Sequence, residues 1–293
     1  MSLTKLFCDV DDFCQVFIAE WEKIHLTDGT QKRRRQRSLS HSEIMTIVVS
    51  YHQSGYKTFK WFYERYVCKH LKAEFPKLVS YNRFIELLPD VLMPLTCFMQ
   101  TTCKTSKNGI AFIDSTPLRV CKNLRIPRHK TFKAEAERGK SSTGWFYGFK
   151  LHLLVDDCGD ILSFRITRGN VDDRTPVPEM LENFIGKVFG DRGYISEKLT
   201  ELLATDDVEL ITTLRKNMKP KVLATFDKLL LRKRCIIETI NDQVKNIFDL
   251  EHSRHRSLVN YMINVVASLV AYSYQEKKPS LGLKLEDWLP MVI

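Results

Sequence analysis

The apolar periodicity of this chain changes once, near Gly109, and that change constrains the fold more than any other feature. Before it, apolar residues recur at helical spacing. Residues 10–24 show the three-to-four-residue rhythm of an amphipathic helix. Ser40 is placed to cap a second helix, with Glu43 three residues on completing a capping box. That helix runs through Ile44, Ile47, Val48 and Tyr51 and stops near Gly55. A third helix is expected over 58–70 after a short turn. A basic arm, a helix, a Gly-containing turn and an aromatic-rich helix outline a helix-turn-helix.

After Gly109 the apolar runs become short and strand-like. Residues 110–113 form one, ending at Asp114. Segments 147–155 and 161–167, separated by DDCGD, predict a β-hairpin. Asp172 or Asp173 can cap a helix reaching Phe184, with Pro176 and Pro178 in its first turn. Val188 and Phe189 make a further strand leading into Gly190-Asp191-Arg192-Gly193-Tyr194. A helix over 196–204, a strand over 208–214 and helices over 229–248 and 257–274 complete the pattern, and 277–293 shows no clear period. A helical first third therefore precedes an α/β region.

Charge narrows the partner. The formal net charge is +10, and the excess is clustered in QKRRRQR at 31–37, in nine Lys or Arg against two Glu over 119–150, and in a third run over 215–234. Three such runs favour a polyanion, with nucleic acid foremost, because each neutralised phosphate releases counterions. The eight cysteines include no C-x-x-C pair, and the first ten residues already contain Lys5 and Asp9. Reduced, packed thiols in a cytoplasmic protein without a signal peptide are the expectation. The most apolar stretch, 258–274, contains Asn260, Asn264 and Ser268 and reads as a buried helix rather than a membrane span. His252 and His255 lack any HExxH context.

Chemistry concentrates on three acids. Asp114 and Asp191 each follow a short apolar strand. A carboxylate at such a place is unfavourable unless a cation or donor meets it. Glu238 lies on a helix whose packed face is Ile237, Ile240, Val244 and Ile247 or Phe248. On the other face Arg234, Glu238, Asn241 and Lys245 form a stripe with the acid between two bases. Three carboxylates from two strands and a helix suit Mg²⁺, which takes oxygen ligands and completes its shell from water and substrate phosphate. Two such ions can activate the attacking oxygen and stabilise the leaving one in an in-line displacement.

These segments resemble those of the DDE transposases of bacterial insertion sequences. IDSTPL around Asp114 and GDRGY around Asp191 are similar to the first and second aspartate strands of that family. Arg234-x3-Glu238-x6-Lys245 matches its Y-x2-R-x3-E-x6-K signature at R, E and K, with Leu231 in the tyrosine position. YGFKLH, with Gly148, Lys150 and His152, and the RGNVDD turn at 168–173 fit the same pattern, which is closest to insertion sequence family 982. The resemblance implies an RNase H-like catalytic domain over 106–275, with a mixed central sheet flanked by helices. It follows an all-α, helix-turn-helix-like DNA-binding region over 1–105 and precedes a tail over 276–293. Spacings of 77 and 47 residues between the acids leave no room for an insertion domain before Glu238.

The resemblance further implies an Mg²⁺-dependent endonuclease and strand transferase, with Mn²⁺ able to substitute. It acts on double-stranded DNA, at terminal inverted repeats and target, as a homodimer. Asp114, Asp191 and Glu238 are then the catalytic metal ligands. Arg33, Arg34, Arg35, Arg119, Arg125, Arg128, Lys150, Arg192, Arg234 and Lys245 are the candidate DNA contacts. A plain metal-dependent nuclease on the same fold and a non-catalytic DNA-binding regulator are the alternatives.

Overall fold

The computed structural model describes residues 2–27, 38–213, 223–251 and 255–283. The chain forms two compact units, one of Met1–Thr102 with Gln243–Glu276 and the other of Cys103–Asp242 with the segment that begins at Lys277.

The first unit is helical among its described residues. Leu3–Thr27 packs on His41–Tyr51. The predicted capping box is present: the Glu43 amide donates to Ser40 Oγ at 3.1 Å, and the Ser40 amide to Glu43 Oε2 at 2.7 Å. Gly55 takes φ +71° in the turn that follows. The helix expected over 58–70 starts under a Thr58 cap as Phe59–Phe62, loosens into a π-helical turn at Tyr63–Val67 and closes with Cys68–His70. Tyr81–Leu87 and Leu92–Thr102 follow.

Leu258–Ser273 packs against Leu92–Thr102 and His41–Tyr51, so this unit also claims Gln243–Glu276. The division therefore differs from boundaries at 105 and 275. The physical reason is that the helix buries Tyr261, Leu269, Val266, Ile263, Ala267 and Ala271, which point around its whole circumference. A helix apolar on all sides needs partners on all sides, and a helical bundle supplies them. Among the described residues no helix is long and apolar enough to cross a membrane.

The second unit is built on a mixed sheet. Its strands are β1 (Ile110–Cys121), β2 (Glu137–Ser141), β3 (Gly144–Asp156), β4 (Ile161–Arg168), β5 (Gly186–Gly190) and β6 (Val208–Thr212). The order is β2-β3-β1-β5-β6, with β4 also on β3. β2 pairs with the first part of β3 and β4 with the remainder, so the two follow one another along one edge of that strand. β1 is antiparallel to β3 and parallel to β5, and β5 is parallel to β6.

One face of the sheet presents Ala111, Ile113, Val188, Val208 and Leu210 to Val177, Met180, Leu199 and Leu203 of the helices Val177–Met180 and Glu197–Ala204. On the opposite face Phe112 and Phe189 stand side by side, ring centroids 5.7 Å apart. Thr225–Lys233 contacts β5 and β6, and Cys235–Asp242 contacts β1.

Three local expectations change. β1 runs to Cys121 instead of stopping at Ile113, because β3 pairs with it as far as Cys121. The long helix expected over 229–248 is broken at Arg234 and turns π-helical at Gln243–Ile247. The helix through Phe184 shrinks to Val177–Met180, where Pro176 and Pro178 leave few amides to donate.

Where β1 meets β3, Gly148 sits at φ +153°, and a Cβ there would lie 2.0 Å from the Leu118 carbonyl oxygen. Only glycine lets the strands approach this closely beside the irregularity at Arg119 and Cys121.

Candidate active site

Register brings the two aspartates together. β1 and β5 run parallel, with Phe112 opposite Phe189, and Asp114 and Asp191 each lie two residues further along. Side chains two apart share a face of a sheet. The aspartates therefore leave the sheet on the Phe112 and Phe189 side, where parallel pairing has ended. Asp191 caps the short 3₁₀ turn Arg192–Tyr194, its Oδ1 accepting from the Gly193 amide at 2.7 Å.

The third acid arrives on the helix over that face. Arg234, at the break between the two helices, reaches both ways: Nη1 lies 3.8 Å from Asp114 Oδ1, and Nη2 donates to Glu238 Oε1 at 2.6 Å. Asn241, one turn on from Glu238 and buried, donates from Nδ2 to Asp114 Oδ2 at 3.1 Å. The helix thus grips Asp114 at two points. Glu238 itself is 56% exposed and faces solvent.

Burial pushes the Asp114 carboxyl up to about 7; Arg234 opposes the rise, and Asp191 and Glu238 add to it. Beside them Tyr194 is buried, and burial together with Asp114, Asp173 and Asp191 holds its hydroxyl neutral.

A carboxyl whose ionisation is opposed by two neighbouring acids is what a divalent cation would relieve. Asp114, Asp191 and Glu238 offer the oxygen donors that Mg²⁺ prefers, and one guanidinium already acts as the counter-charge between two of them. The donor set fits the ion. The three are not drawn in as tightly as a preformed cage. Among the described residues, the trio with donor atoms within 4.8 Å of one another is Asp156, Asp157 and Cys158. That trio belongs to the β3–β4 turn, where Asp156 Oδ1 accepts from the amides of Cys158 and Asp160.

The basic residues separate by environment. Arg234 is within the site. Arg192, exposed, adjoins Asp191. Arg119 is exposed near the far end of β1 and donates to Thr143 Oγ1 at 2.9 Å, while Arg125 and Arg128 are exposed on the turn Asn123–Arg128. Lys150 is instead buried: Nζ donates to the Val171 carbonyl and to Asp173 Oδ1, both at 2.8 Å. It ties the YGFKLH strand to the RGNVDD turn. Arg174 carries the tie onward, donating to the Ile195 carbonyl at 3.3 Å in the loop after Asp191. His152 is fully buried against Thr167 Oγ1, and burial lowers it to about 4, so it is neutral. Lys245 belongs to the other unit and pairs with Glu251 at 3.1 Å. Arg33, Arg34 and Arg35 lie outside the described residues.

Sequence reasoning missed a cleft of about 370 Å³ that runs from Gly193, beside Asp191, to Arg138, Lys140 and Trp145. Trp145 is 57% exposed, with Lys140 Nζ 5.9 Å from its ring centroid. A tryptophan inside a basic run was a signal available in the sequence. Asn241 was visible in the polar stripe, but its bond to Asp114 was not.

Residues 104–258, more than half of the chain, match the family described as a transposase DDE domain. Among curated proteins no match was found.

Proposed function

Since the chain belongs to the transposase DDE domain family, we propose that it cleaves the ends of an insertion sequence and joins the freed 3′ strand to target DNA. The proposed fold of the second unit is RNase H-like, and the proposed relationship within the family is to insertion sequence family 982. The reading is supported by the register that puts Asp114 and Asp191 on one face of the sheet and by Arg234, which lies between Asp114 and Glu238.

Asp114, Asp191 and Glu238 would hold Mg²⁺, with Mn²⁺ as a substitute. Bound there, the metal supplies Lewis-acid polarisation of the scissile phosphate and a water of lowered pKa. Asp114 must lose its proton to bind, and its position near 7 puts that proton loss in the working range. Asn241 orients Asp114 by donating to Oδ2, which turns Oδ1 towards Arg234. Arg234 balances the charge of Asp114 and Glu238 until the metal takes its place and, with Arg192, offers charge to the phosphate backbone. The cleft of Arg138, Lys140 and Trp145 guides a strand towards Asp191 by charge and stacking.

Water attacks phosphorus at the element end and the P–O3′ bond breaks, leaving a 3′-hydroxyl on the element. That hydroxyl then attacks a target phosphodiester, forming one P–O bond as another breaks. Because two ends must be joined, the working form is proposed to be a homodimer on DNA.

The test uses purified protein, Mg²⁺ and a duplex carrying the DNA that flanks the gene. Cleaved and joined products are expected, with both lost in Asp114→Asn, Asp191→Asn and Glu238→Gln. Cleavage unchanged in any one variant removes that residue from the site. Cleavage without joining identifies a nuclease, and binding without cleavage under any metal identifies a regulator.

A further inference from the structure

The helical unit contains a cleft of about 1140 Å³, about as large as sites that take drug-sized ligands. Nothing in the chemistry at Asp114 uses it. Its lining combines three features.

The first is aromatic. Tyr51, Phe59 and Tyr81 line the cleft, with Tyr51 and Phe59 in edge-on contact at 5.4 Å and Phe59 and Tyr81 tilted at 6.4 Å. The Tyr51 hydroxyl is already committed, donating to Asp249 at 2.8 Å, which leaves its ring as an apolar surface.

The second is a set of unsatisfied polar groups. Asn264 is buried with Nδ2 unpartnered, and Asn260 Oδ1 and His255 Nε2 are likewise buried without a partner. His255 is also neutral, lowered by burial to about 4. Buried polar atoms left unbonded are costly, and native proteins keep few of them. Here an acceptor and a donor, Asn260 Oδ1 and Asn264 Nδ2, stand one helical turn apart in the same lining.

The third is a cationic rim. Lys57, Lys60 and Arg256 border the cleft and are exposed, with Lys60 Nζ 5.7 Å from the Tyr81 ring centroid. The helix that carries Phe59 and Lys60 then passes into the π-helical turn Tyr63–Val67, a distortion frequent at functional sites.

We propose that this cleft receives a single nucleobase turned out of a DNA strand, with the adjoining phosphates on Lys57, Lys60 and Arg256. Aromatic walls accept the flat faces of a base. A carboxamide donor and acceptor match the paired donor and acceptor of a base edge, as they do when asparagine reads adenine. Cations at the mouth accept the backbone on either side of the extruded nucleotide. An unpaired or end-frayed nucleotide costs least to extrude, so it is the preferred guest. The inference rests on DNA being the substrate, and it adds a point of contact on the helical unit.

The experiment measures binding of the full chain to two duplexes that differ only in one unpaired 2-aminopurine. Stacking in the cleft should tighten binding to the unpaired duplex by about tenfold over the paired one. That ratio should fall to about one in Ile85→Trp, which fills the cleft, and in Asn260→Leu, which removes the acceptor. Because both duplexes are measured on each variant, a general loss of folding lowers both affinities and leaves the ratio intact. With 5-iodouracil at the unpaired position, photocrosslinks should map to peptides containing Tyr51, Phe59 or Tyr81. A ratio of one in the wild type, with the paired duplex bound, overturns the inference and leaves the transposase reading standing. A tenfold ratio that survives in Ile85→Trp, with crosslinks elsewhere, also overturns it. Failure to bind either duplex overturns the transposase reading and this inference with it.

Discussion

Asp114→Asn should stabilise the protein while abolishing its chemistry, and the gain should depend on pH. Asp114 ionises near 7 in the folded chain, against an ordinary value of 3.8. The folded state therefore holds the Asp114 proton more tightly than the unfolded chain does. Between about pH 4 and pH 7 the unfolded state binds fewer protons, so wild-type stability falls as pH rises; above about pH 7 the penalty has reached its full size. About three pKa units at 1.36 kcal/mol each put that penalty near 4 kcal/mol, with the opposing pull of Arg234 already included. Asparagine carries no charge and avoids it. Weaker bonds to Asn241 and Arg234 take back about 1 kcal/mol, for a net gain of about 3 kcal/mol at pH 8.

The assay is urea denaturation of the full chain, with chelator present, at pH 5 and pH 8. The advantage of the variant should grow by about 2.6 kcal/mol between the two. Mg²⁺ at a hundred times its dissociation constant should then return about 2.7 kcal/mol to the wild type and little to the variant. A variant no more stable than wild type at pH 8, or an advantage independent of pH, would refute the argument that burial and neighbouring acids load this carboxyl.

Three other perturbations follow from the same structure. Arg234→Gln removes a fixed cation from between Asp114 and Glu238, so Mn²⁺ should bind about three- to tenfold more tightly by calorimetry; weaker binding would mean that Arg234 organises the ligands more than it competes with the metal. Lys150→Met breaks the bonds to Asp173 and the Val171 carbonyl and should cost about 2 kcal/mol in urea melts. Its slope of log K against log salt for DNA should be unchanged, and a flattened slope would make Lys150 a phosphate ligand. Neutralising Arg33, Arg34 and Arg35 should flatten that slope by about 0.9 for each phosphate that the arm neutralises, and an unaltered slope would make the arm a bystander.

The parts of the site legible in the sequence were those set by short-range order. Asp114 and Asp191 could be placed because each follows an apolar strand, and parallel pairing of those strands carries both acids to one face. Glu238 could be oriented because Ile237 and Ile240 mark the buried side of its helix. Ser40 and Glu43 announced a helix start through a local bond.

The remainder depended on partners distant in sequence. β2 is written ERGKS, with no apolar alternation, and exists because β3 offers it an edge. Lys150 looked like a DNA contact because its charge was legible, whereas Asp173 as its partner was not. The break at Arg234 has no glycine or proline to signal it. The all-round burial of Leu258–Ser273 was visible as hydrophobicity, but which unit would claim it was not.

Asp114, Asp191 and Glu238 are proposed to act as one metal site. Calorimetric titration of Mn²⁺ into the wild type and into Asp114→Asn, Asp191→Asn and Glu238→Gln tests it most directly, with Asp157→Asn as the comparison at the β3–β4 turn. Binding should weaken at least tenfold in each of the first three variants and stay at the wild-type level in the fourth. Undiminished binding in any of the three, or binding abolished only with Asp157, would contradict the account.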